Sequence, residues 1–215
     1  EKISPELACK MEHIGHGMLR MTTGKMSSRK GNVITGESLL NDTIARANEK
    51  IVLEDVRKEE RALIAQSVAV AAIKFSILRN NIGKDIIYDP EKALSFEGDS
   101  GPYIQYTNAR TQSLLKKGHE KGIEPSTENY NGEITDVEKL LSQFADVIER
   151  AVDEKAPHHV CTYLLELSSA FNSYYANTPI LDSDDAPYRL ALTKAVSQVL
   201  RNGLYVLGMH APERM

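Results

Sequence analysis

The sequence has no tryptophan, only two cysteines and no run of about 18 apolar residues, the length that spans a membrane. The two thiols, Cys9 and Cys161, have no CxxC or CxxH neighbourhood, so no zinc site or dithiol redox motif is indicated. We expect both thiols to be buried, as suits a protein of the reducing cytoplasm. The start of the chain also lacks the charged and then apolar segments of a secretory leader.

Acidic residues only slightly outnumber basic ones, but the two kinds are unevenly distributed along the chain. With a net charge of −4, the whole chain does not have the basic excess that is typical of nucleic-acid-binding proteins. Two stretches nevertheless contain cations and no acid. They are residues 13–36, with Arg20, Lys25, Arg29 and Lys30, and residues 188–210, with Arg189, Lys194 and Arg201. We expect an anionic partner to bind at these two stretches.

The residue pattern changes near residue 37. Before it, short apolar runs separated by glycines are typical of strands, loops and turns. After it, apolar residues recur at intervals of three and four, which predicts helices almost throughout. The predicted fold is therefore mainly α, with a short α/β segment followed by a helical bundle and a boundary between residues 80 and 100.

Start and stop residues predict where the helices lie. Five are predicted, over residues 54–80, 103–117, 135–154, 157–177 and 185–208. Gly118 is taken as the stop of the second, before a polar connector over residues 118–132. Thr135 and Glu138 form a capping box at the start of the third.

The decamer T-G-K-M-S-S-R-K-G-N, residues 23–32, combines three cations, two serine hydroxyls and two glycines. Such a loop suits a polyphosphate, because glycines let the backbone approach and cations neutralise the charge on a leaving pyrophosphate. A basic surface loop without a ligand is the alternative on composition alone.

The last predicted helix has two distinct faces. Its apolar face contains Leu192, Val196, Val199, Leu200, Leu204 and Leu207, and its polar face contains Lys194, Gln198, Arg201 and Tyr205. Tyr205 among cations is either a platform for stacking a base or a ring partly packed on a neighbouring helix. In the preceding helix, Tyr174 and Tyr175 flank the apolar stripe, and at least one is expected to reach the surface.

Four segments resemble one family, in its order along the chain. K-M-S-S-R-K-G-N, residues 25–32, resembles the KMSKS signature of class I aminoacyl-tRNA synthetases, in the form seen in arginyl-tRNA synthetases. F-E-G-D-S-G-P-Y-I-Q-Y-T-N-A-R, residues 96–110, resembles the segment that leads into that family's anticodon-binding helices. The third segment that resembles the family is residues 157–175, and the fourth is the terminus G-M-H-A-P-E-R-M, residues 208–215. The literal D-A-L-R tetrapeptide that names the helical domain is absent.

His13-Ile-Gly-His16 spells the other class I signature, HIGH, but we interpret it as a coincidence. In the family, HIGH precedes KMSKS by several strands and crossover helices. Only nine residues separate His16 from Met26, too few for one crossover, which takes about a dozen. The true HIGH segment is expected upstream of Glu1, in a longer protein whose C-terminal portion this chain would be.

The resemblance implies an arginine–tRNA ligase. Its expected ligands are ATP, Mg²⁺ and arginine tRNA, and it is expected to act in the cytoplasm without a membrane partner. Residues 1–98 would end the catalytic domain and contain the KMSKS-like loop, and residues 99–215 would form the helical anticodon-binding domain. Because most of the arginine pocket is expected upstream, this chain alone should be inactive. A free-standing helical RNA-binding or interaction module, or part of another class I enzyme such as the cysteinyl one, is the alternative.

Candidate site residues follow from the motif and from the helix faces. ATP binding is assigned to Gly24, Lys25, Met26, Ser27 and Ser28. Lys25 matches the first lysine of the motif, and since the second falls on Ser28, either Arg29 or Lys30 would supply that catalytic charge. No metal-ligating residues are expected. The candidates for tRNA binding are Tyr174, Tyr175, Lys194, Gln198, Arg201, Tyr205 and Met215.

Overall fold

The structure is a computed structural model that describes residues 4–22, 34–51, 56–128, 130 and 132–215 of the chain. In these residues two short strands and nine helices confirm a mainly α fold with a small α/β part. Their order is α1 (Pro5–Ala8), β1 (Leu19–Met21), α2 (Gly36–Lys50), α3 (Lys58–Leu78), β2 (Ile86–Tyr88), α4 (Pro90–Ala93), α5 (Gly101–Glu120), α6 (Asp136–Ser142), α7 (Phe144–Asp153), α8 (His158–Asn177) and α9 (Ala186–Val206).

The two strands pair in parallel, with Leu19 opposite Ile86. Asp85 holds the start of this pair, because its carboxylate accepts from the Met18 backbone N–H at 2.9 Å and lies 2.6 Å from the Arg20 guanidinium. Gly17 passes so close to β2 that an added Cβ would lie 2.0 Å from the Lys84 carbonyl oxygen. The approach of these backbones fixes the strand that leads into residues 23–33.

Helix α3 contributes to two hydrophobic cores. Residues such as Ile64 and Val68 pack with α2, β2 and α4, whereas Ala71 and Phe75 pack into the helical bundle. Of the described helices, α3 alone is long and apolar enough to cross a membrane by length and composition. In this fold α3 contacts α2 and α5, and the apolar side chains that it buries include Ile64, Val68 and Phe75.

Three long helices, α5, α8 and α9, form the centre of the bundle. Their fully buried side chains include Ile104, Leu164, Leu167, Phe171, Leu190, Val196, Leu200 and Leu204. The predicted α8 and α9 are confirmed to within about two residues at each end. Val199, assigned to the apolar face of α9, is only partly buried at the edge of this core.

The start of α3 and the end of α5 differ from the prediction. Residue 54 lies outside the described residues, and α3 begins at Lys58, where Glu59 and Glu60 occupy its first turn. Helix α5 continues past Gly118, which is buried within it because an added Cβ would lie 2.5 Å from Leu190 Cδ1. The glycine that follows the helix end is Gly122, whose φ of 71° lies in the left-handed region.

The helix predicted over residues 135–154 is two helices, α6 and α7. The capping box of Thr135 and Glu138 is present as predicted. At Leu140, however, the carbonyl oxygen accepts from Tyr163 Oη of α8 at 3.0 Å and from the Gln143 backbone N–H at 3.0 Å. Where the helix divides, this carbonyl therefore accepts one hydrogen bond from α8 and one from the tight turn that ends α6.

The expectation that both cysteines are buried is right for Cys161 and wrong for Cys9. Cys161 lies in the bundle core, and burial raises the pKa of its thiol to about 12. Cys9 follows α1, a four-residue helix that buries none of its side chains, so its thiol is exposed.

The C-terminal tail, residues 208–215, runs along α3 and α5. Three of its carbonyl oxygens accept hydrogen bonds from side chains: Gly208 from Lys74 Nζ at 2.6 Å, His210 from Gln105 Nε2 at 2.6 Å and Pro212 from Asn108 Nδ2 at 3.1 Å. Met215 then packs against the core shared by α2 and α3. The tail thus joins the bundle to the α2–α3 core.

Candidate functional site

The predicted nucleotide-binding loop, with Gly24, Lys25, Met26, Ser27, Ser28, Arg29 and Lys30, lies outside the described residues. The structure does describe the two elements next to it. Strand β1 ends at Met21, and α2 begins at Gly36 after the N-cap residue Thr35, whose Oγ1 accepts from the Ser38 N–H at 3.1 Å. The loop therefore connects the end of a parallel strand to a capped helix.

The His13–His16 segment does not open a helix. Residues 11–18 have no regular secondary structure, β1 follows at Leu19, and the next described helix begins at Gly36. The prediction that a strand, and not a helix, follows this segment is confirmed over the described residues.

An open cavity of about 520 Å³ lies between α5, α8 and the residues before α5. We call it the aromatic cleft; its lining residues are Lys50, Phe96, Glu97, Tyr103, Tyr106, Arg110 and Asn172. The Arg110 guanidinium carbon lies 5.0 Å from the ring centroid of Tyr106 and 4.9 Å from that of Tyr175. A cation against two aromatic rings is stabilised by the negative faces of both.

The cleft offers the groups that a nucleotide needs. Aromatic faces can stack a base, and the cations Arg110 and Lys50 can pair with a phosphate. Lys50 is partly neutralised by Glu91, with its Nζ 3.4 Å from the carboxylate. Arg110 has no carboxylate partner among the described residues, which makes it the stronger anion ligand of the two.

The sequence assignment missed Tyr103, Tyr106 and Arg110. Their spacing of three and four residues places them on one face of α5, and an aromatic, aromatic, cation series at that spacing was a signal that could have found them. Tyr175 was assigned, and the structure confirms that it reaches the surface, 40% exposed. Its neighbour Tyr174 is half-buried against the bundle, and burial raises the pKa of its hydroxyl.

The polar face of α9 is exposed as predicted, at Lys194, Gln198, Arg201 and Tyr205. Tyr205 is 81% exposed, so the alternative of a ring packed on a neighbouring helix is wrong. Gln198, Arg201 and Tyr205 line a second open cavity, of about 500 Å³, together with Gly208 and His210 of the tail. This α9 surface shares no described lining residue with the aromatic cleft.

The predicted tRNA-binding residues therefore fall into separate places. Tyr175 contacts Arg110, which lines the aromatic cleft, and three polar residues of α9 line the α9 surface. Met215 lines neither and is partly buried at the end of the tail. In the described parts of the chain no group of three or more His, Cys, Asp or Glu side chains is placed to hold a metal ion.

Comparison with protein families decides which class of protein this is. Residues 104–215 match the family described as "DALR anticodon binding domain", and residues 2–89 match "tRNA synthetases class I (R), catalytic domain". The chain belongs to the arginyl-tRNA synthetase family. The resemblance is confirmed although the D-A-L-R tetrapeptide is absent, and the cysteinyl and free-standing alternatives are not supported.

Curated members of this family are similar along nearly the whole chain. The arginine–tRNA ligase of Limosilactobacillus fermentum is 38% identical over 207 residues, which are 95% of this chain and 37% of the relative. That of Streptococcus uberis is also 38% identical, with the same coverage. The chain thus spans little more than a third of the length of these relatives.

Solved structures of the family have the same fold. The arginyl-tRNA synthetase of Thermus thermophilus superposes with a TM-score of 0.80 at 30% identity and covers 98% of this chain, which spans 37% of that one. The Plasmodium falciparum enzyme superposes with a TM-score of 0.76 over 98% of this chain and 38% of its own. At 20% identity, that second likeness shows the fold alone.

Proposed function

We propose that this chain is the part of an arginine–tRNA ligase that binds the anticodon side of arginine tRNA and contributes the KMSKS-like loop to arginine activation. Residues 1–98 and 99–215 would be its catalytic and anticodon-binding parts. ATP with Mg²⁺, and arginine, would be the other substrates, in the cytoplasm. The observation that carries the RNA-binding proposal is the cation of Arg110 held against the rings of Tyr106 and Tyr175.

We infer that the aromatic cleft binds an unpaired base. Stacking of one base on an aromatic side chain contributes about 1–3 kcal/mol, and an anticodon loop offers unpaired bases. Arg110 can then donate to the base or to the phosphate beside it, since only part of its five-donor guanidinium is used within the protein.

The α9 surface would contact a different part of the RNA. Tyr205 would stack on a base, while Arg201 and Lys194 would neutralise phosphates and Gln198 would donate to them. Tyr174 and Met215, both partly buried, would contribute only their exposed edges.

The loop at residues 23–32 would act on ATP. When the arginine carboxylate attacks the α-phosphate, negative charge builds on the departing pyrophosphate, and positioned cations stabilise it. Lys25 would carry the main charge, Arg29 or Lys30 the second, and Ser27 and Ser28 would donate to phosphate oxygens or fix the loop. Gly24 and Met26 would shape the backbone around the nucleotide.

The test is binding of an arginine tRNA transcript to the 215-residue chain over a series of salt concentrations. The net charge of −4 should keep binding weak, and because cation–phosphate contacts release counterions from the RNA, binding should fall as salt rises. Arg110→Ala should weaken tRNA binding by at least about tenfold at low salt. Arg150→Ala should not, because Arg150 is an exposed arginine of α7 that already pairs with Glu154. Salt-independent binding, or an Arg110→Ala chain that binds as tightly as the wild type, would contradict the proposal.

A further inference from the structure

We propose that Asn172 is a positioning residue that determines which hydrogen-bonding groups the aromatic cleft presents to a base. It lies in the cleft lining on α8 and bonds to three side chains of α5. The proposal rests on the proposed function of the cleft and adds the chemistry of the base edge that the cleft selects. That edge is one that offers acceptors, a ring nitrogen or a carbonyl oxygen.

The orientation of the Asn172 amide follows from Thr107. The single hydroxyl hydrogen of Thr107 is donated to the Tyr103 backbone carbonyl, with the oxygens 3.0 Å apart. Thr107 Oγ1 can therefore only accept from Asn172, whose Nδ2 lies 2.9 Å away. The nitrogen of the amide faces Thr107, and its oxygen Oδ1 must face the other way.

The orientation of Arg110 follows in turn. The amide oxygen of Asn172 accepts from Nη1 of Arg110. Together with a 3.5 Å contact from Arg110 Nη2 to Tyr106 Oη, this bond fixes the rotation of the guanidinium between the rings of Tyr106 and Tyr175. The remaining N–H groups of Arg110, which lines the cleft, are then available as donors to a ligand.

The role of Tyr103 is fixed by the second amide hydrogen. Tyr103 Oη accepts from Asn172 Nδ2 at 3.0 Å, so its own hydrogen is not needed for that bond. In the described part of the chain this hydrogen has no acceptor, and Tyr103 lines the cleft. The cleft thus presents two kinds of donor, the Tyr103 O–H and the Arg110 N–H groups, to whatever base enters it.

Asn172→Asp reverses this arrangement with almost no change in shape. The carboxylate still accepts from Arg110, but it can donate neither to Tyr103 nor to Thr107. The Tyr103 hydroxyl must then turn to donate to the carboxylate and is lost to the ligand. We expect binding of the anticodon stem-loop of an arginine tRNA to weaken by at least about fivefold to tenfold, because one neutral hydrogen bond is lost and the new carboxylate also pairs with the Arg110 cation. Tyr103→Phe alone should weaken binding about fivefold to tenfold.

The deciding measurement is the double variant. If Asn172 controls the Tyr103 hydrogen, Tyr103→Phe should cost nothing further in the Asn172→Asp background. Asn177→Asp is the matched control, because Asn177 is an exposed amide on the same helix whose side chain bonds, within the described residues, only to the Ser173 carbonyl. It adds the same charge to α8 and should weaken binding by less than twofold.

Two results would overturn the inference. One is a Tyr103→Phe effect of equal size in both backgrounds, and the other is Asn172→Asp binding that matches Asn177→Asp. If Asn172→Asp does not fold, as judged by circular dichroism, Tyr103→Phe decides, and wild-type affinity in that variant overturns the inference. Failure of the proposed function is distinguishable, because Arg110→Ala would then leave stem-loop binding unchanged.

Discussion

The backbone of Gly17 lies against the backbone of Lys84, so that a Cβ on Gly17 would be 2.0 Å from the Lys84 carbonyl oxygen. This contact brings the segment before β1 against the start of β2, where Asp85 bonds to both Met18 and Arg20. The position of β1, and with it the start of the loop at residues 23–33, therefore depends on a glycine.

Gly17→Ala should destabilise the chain by about 2–3 kcal/mol, because the clash is with backbone and no side chain can move to relieve it. Gly15→Ala is the control two residues earlier, since its Cβ would meet only His13 Nε2, at 3.9 Å. Urea unfolding followed by circular dichroism would measure both. Equal stability of the two variants would show that β1 can move away from β2 without loss.

The two thiols should react very differently with a thiol reagent at pH 8. Cys9 is exposed and should be labelled at once, whereas Cys161 lies in the bundle core with its pKa raised to about 12. Native protein should therefore take up one label per chain and unfolded protein two. Rapid labelling of both in native protein would mean that α8 opens readily.

The buried Cys161 thiol should also make the unfolding free energy depend on pH in alkali. Burial raises the pKa of Cys161 in the folded state, so its contribution is fully present below the unfolded value of about 8.5 and is lost as pH rises towards 12. The unfolding free energy should fall by up to about 1.4 kcal/mol per pH unit above pH 9 from this group alone. Cys161→Ala should remove that slope between about pH 9 and 10, before Tyr163 and Tyr188 titrate.

Lys25→Ala in the complete ligase should lower kcat for arginine activation about 100- to 1000-fold, with the KM for arginine little changed. The reason is that its charge would act on pyrophosphate only as that group leaves. Arginine-dependent ATP–pyrophosphate exchange measures the effect. A normal kcat would move the catalytic charge to Arg29 or Lys30, for which the corresponding alanine variants serve as comparisons.

Tyr205→Ala should weaken tRNA binding by about 1–3 kcal/mol, because it removes the ring proposed to stack on a base. Since that ring is 81% exposed, the substitution removes little packing within the protein. The effect should be seen mainly in the KM for tRNA of the complete ligase. Val206→Ala is the control, as its neighbouring apolar side chain is also exposed on α9. An unchanged KM in Tyr205→Ala would exclude a stacking role.

Much of the bundle could be predicted because its helices have long apolar periodicity and local start residues. The capping box at Thr135 and the prolines at the starts of α5 and α9 act within a few residues, so the sequence reveals them directly. The polar face of α9 was predictable for the same reason, since the faces of one helix depend only on spacing.

Features that depend on contacts between distant residues could not be predicted in this way. Local rules predict that Gly118 ends a helix. In the structure it lies inside α5, because the side chain of Leu190, 72 residues later, occupies the space that a Cβ would need. The division between α6 and α7 depends on Tyr163, and the aromatic cleft depends on α5 meeting Tyr175 and Asn172 of α8. Such partners become visible only when the helices are packed together.

Three side chains of α3 and α5 hold the C-terminal tail through its main chain. Lys74, Gln105 and Asn108 each bond to a carbonyl oxygen, and the three carbonyls are spaced two residues apart. Every residue type supplies such a carbonyl. The three bonds therefore depend on the number of residues along the tail and not on which side chains stand at those positions. Insertion of one residue between Gly208 and His210 would shift the later two carbonyls by one place and move Met215 out of the α2–α3 core, whereas a substitution at His210 would leave all three bonds in place.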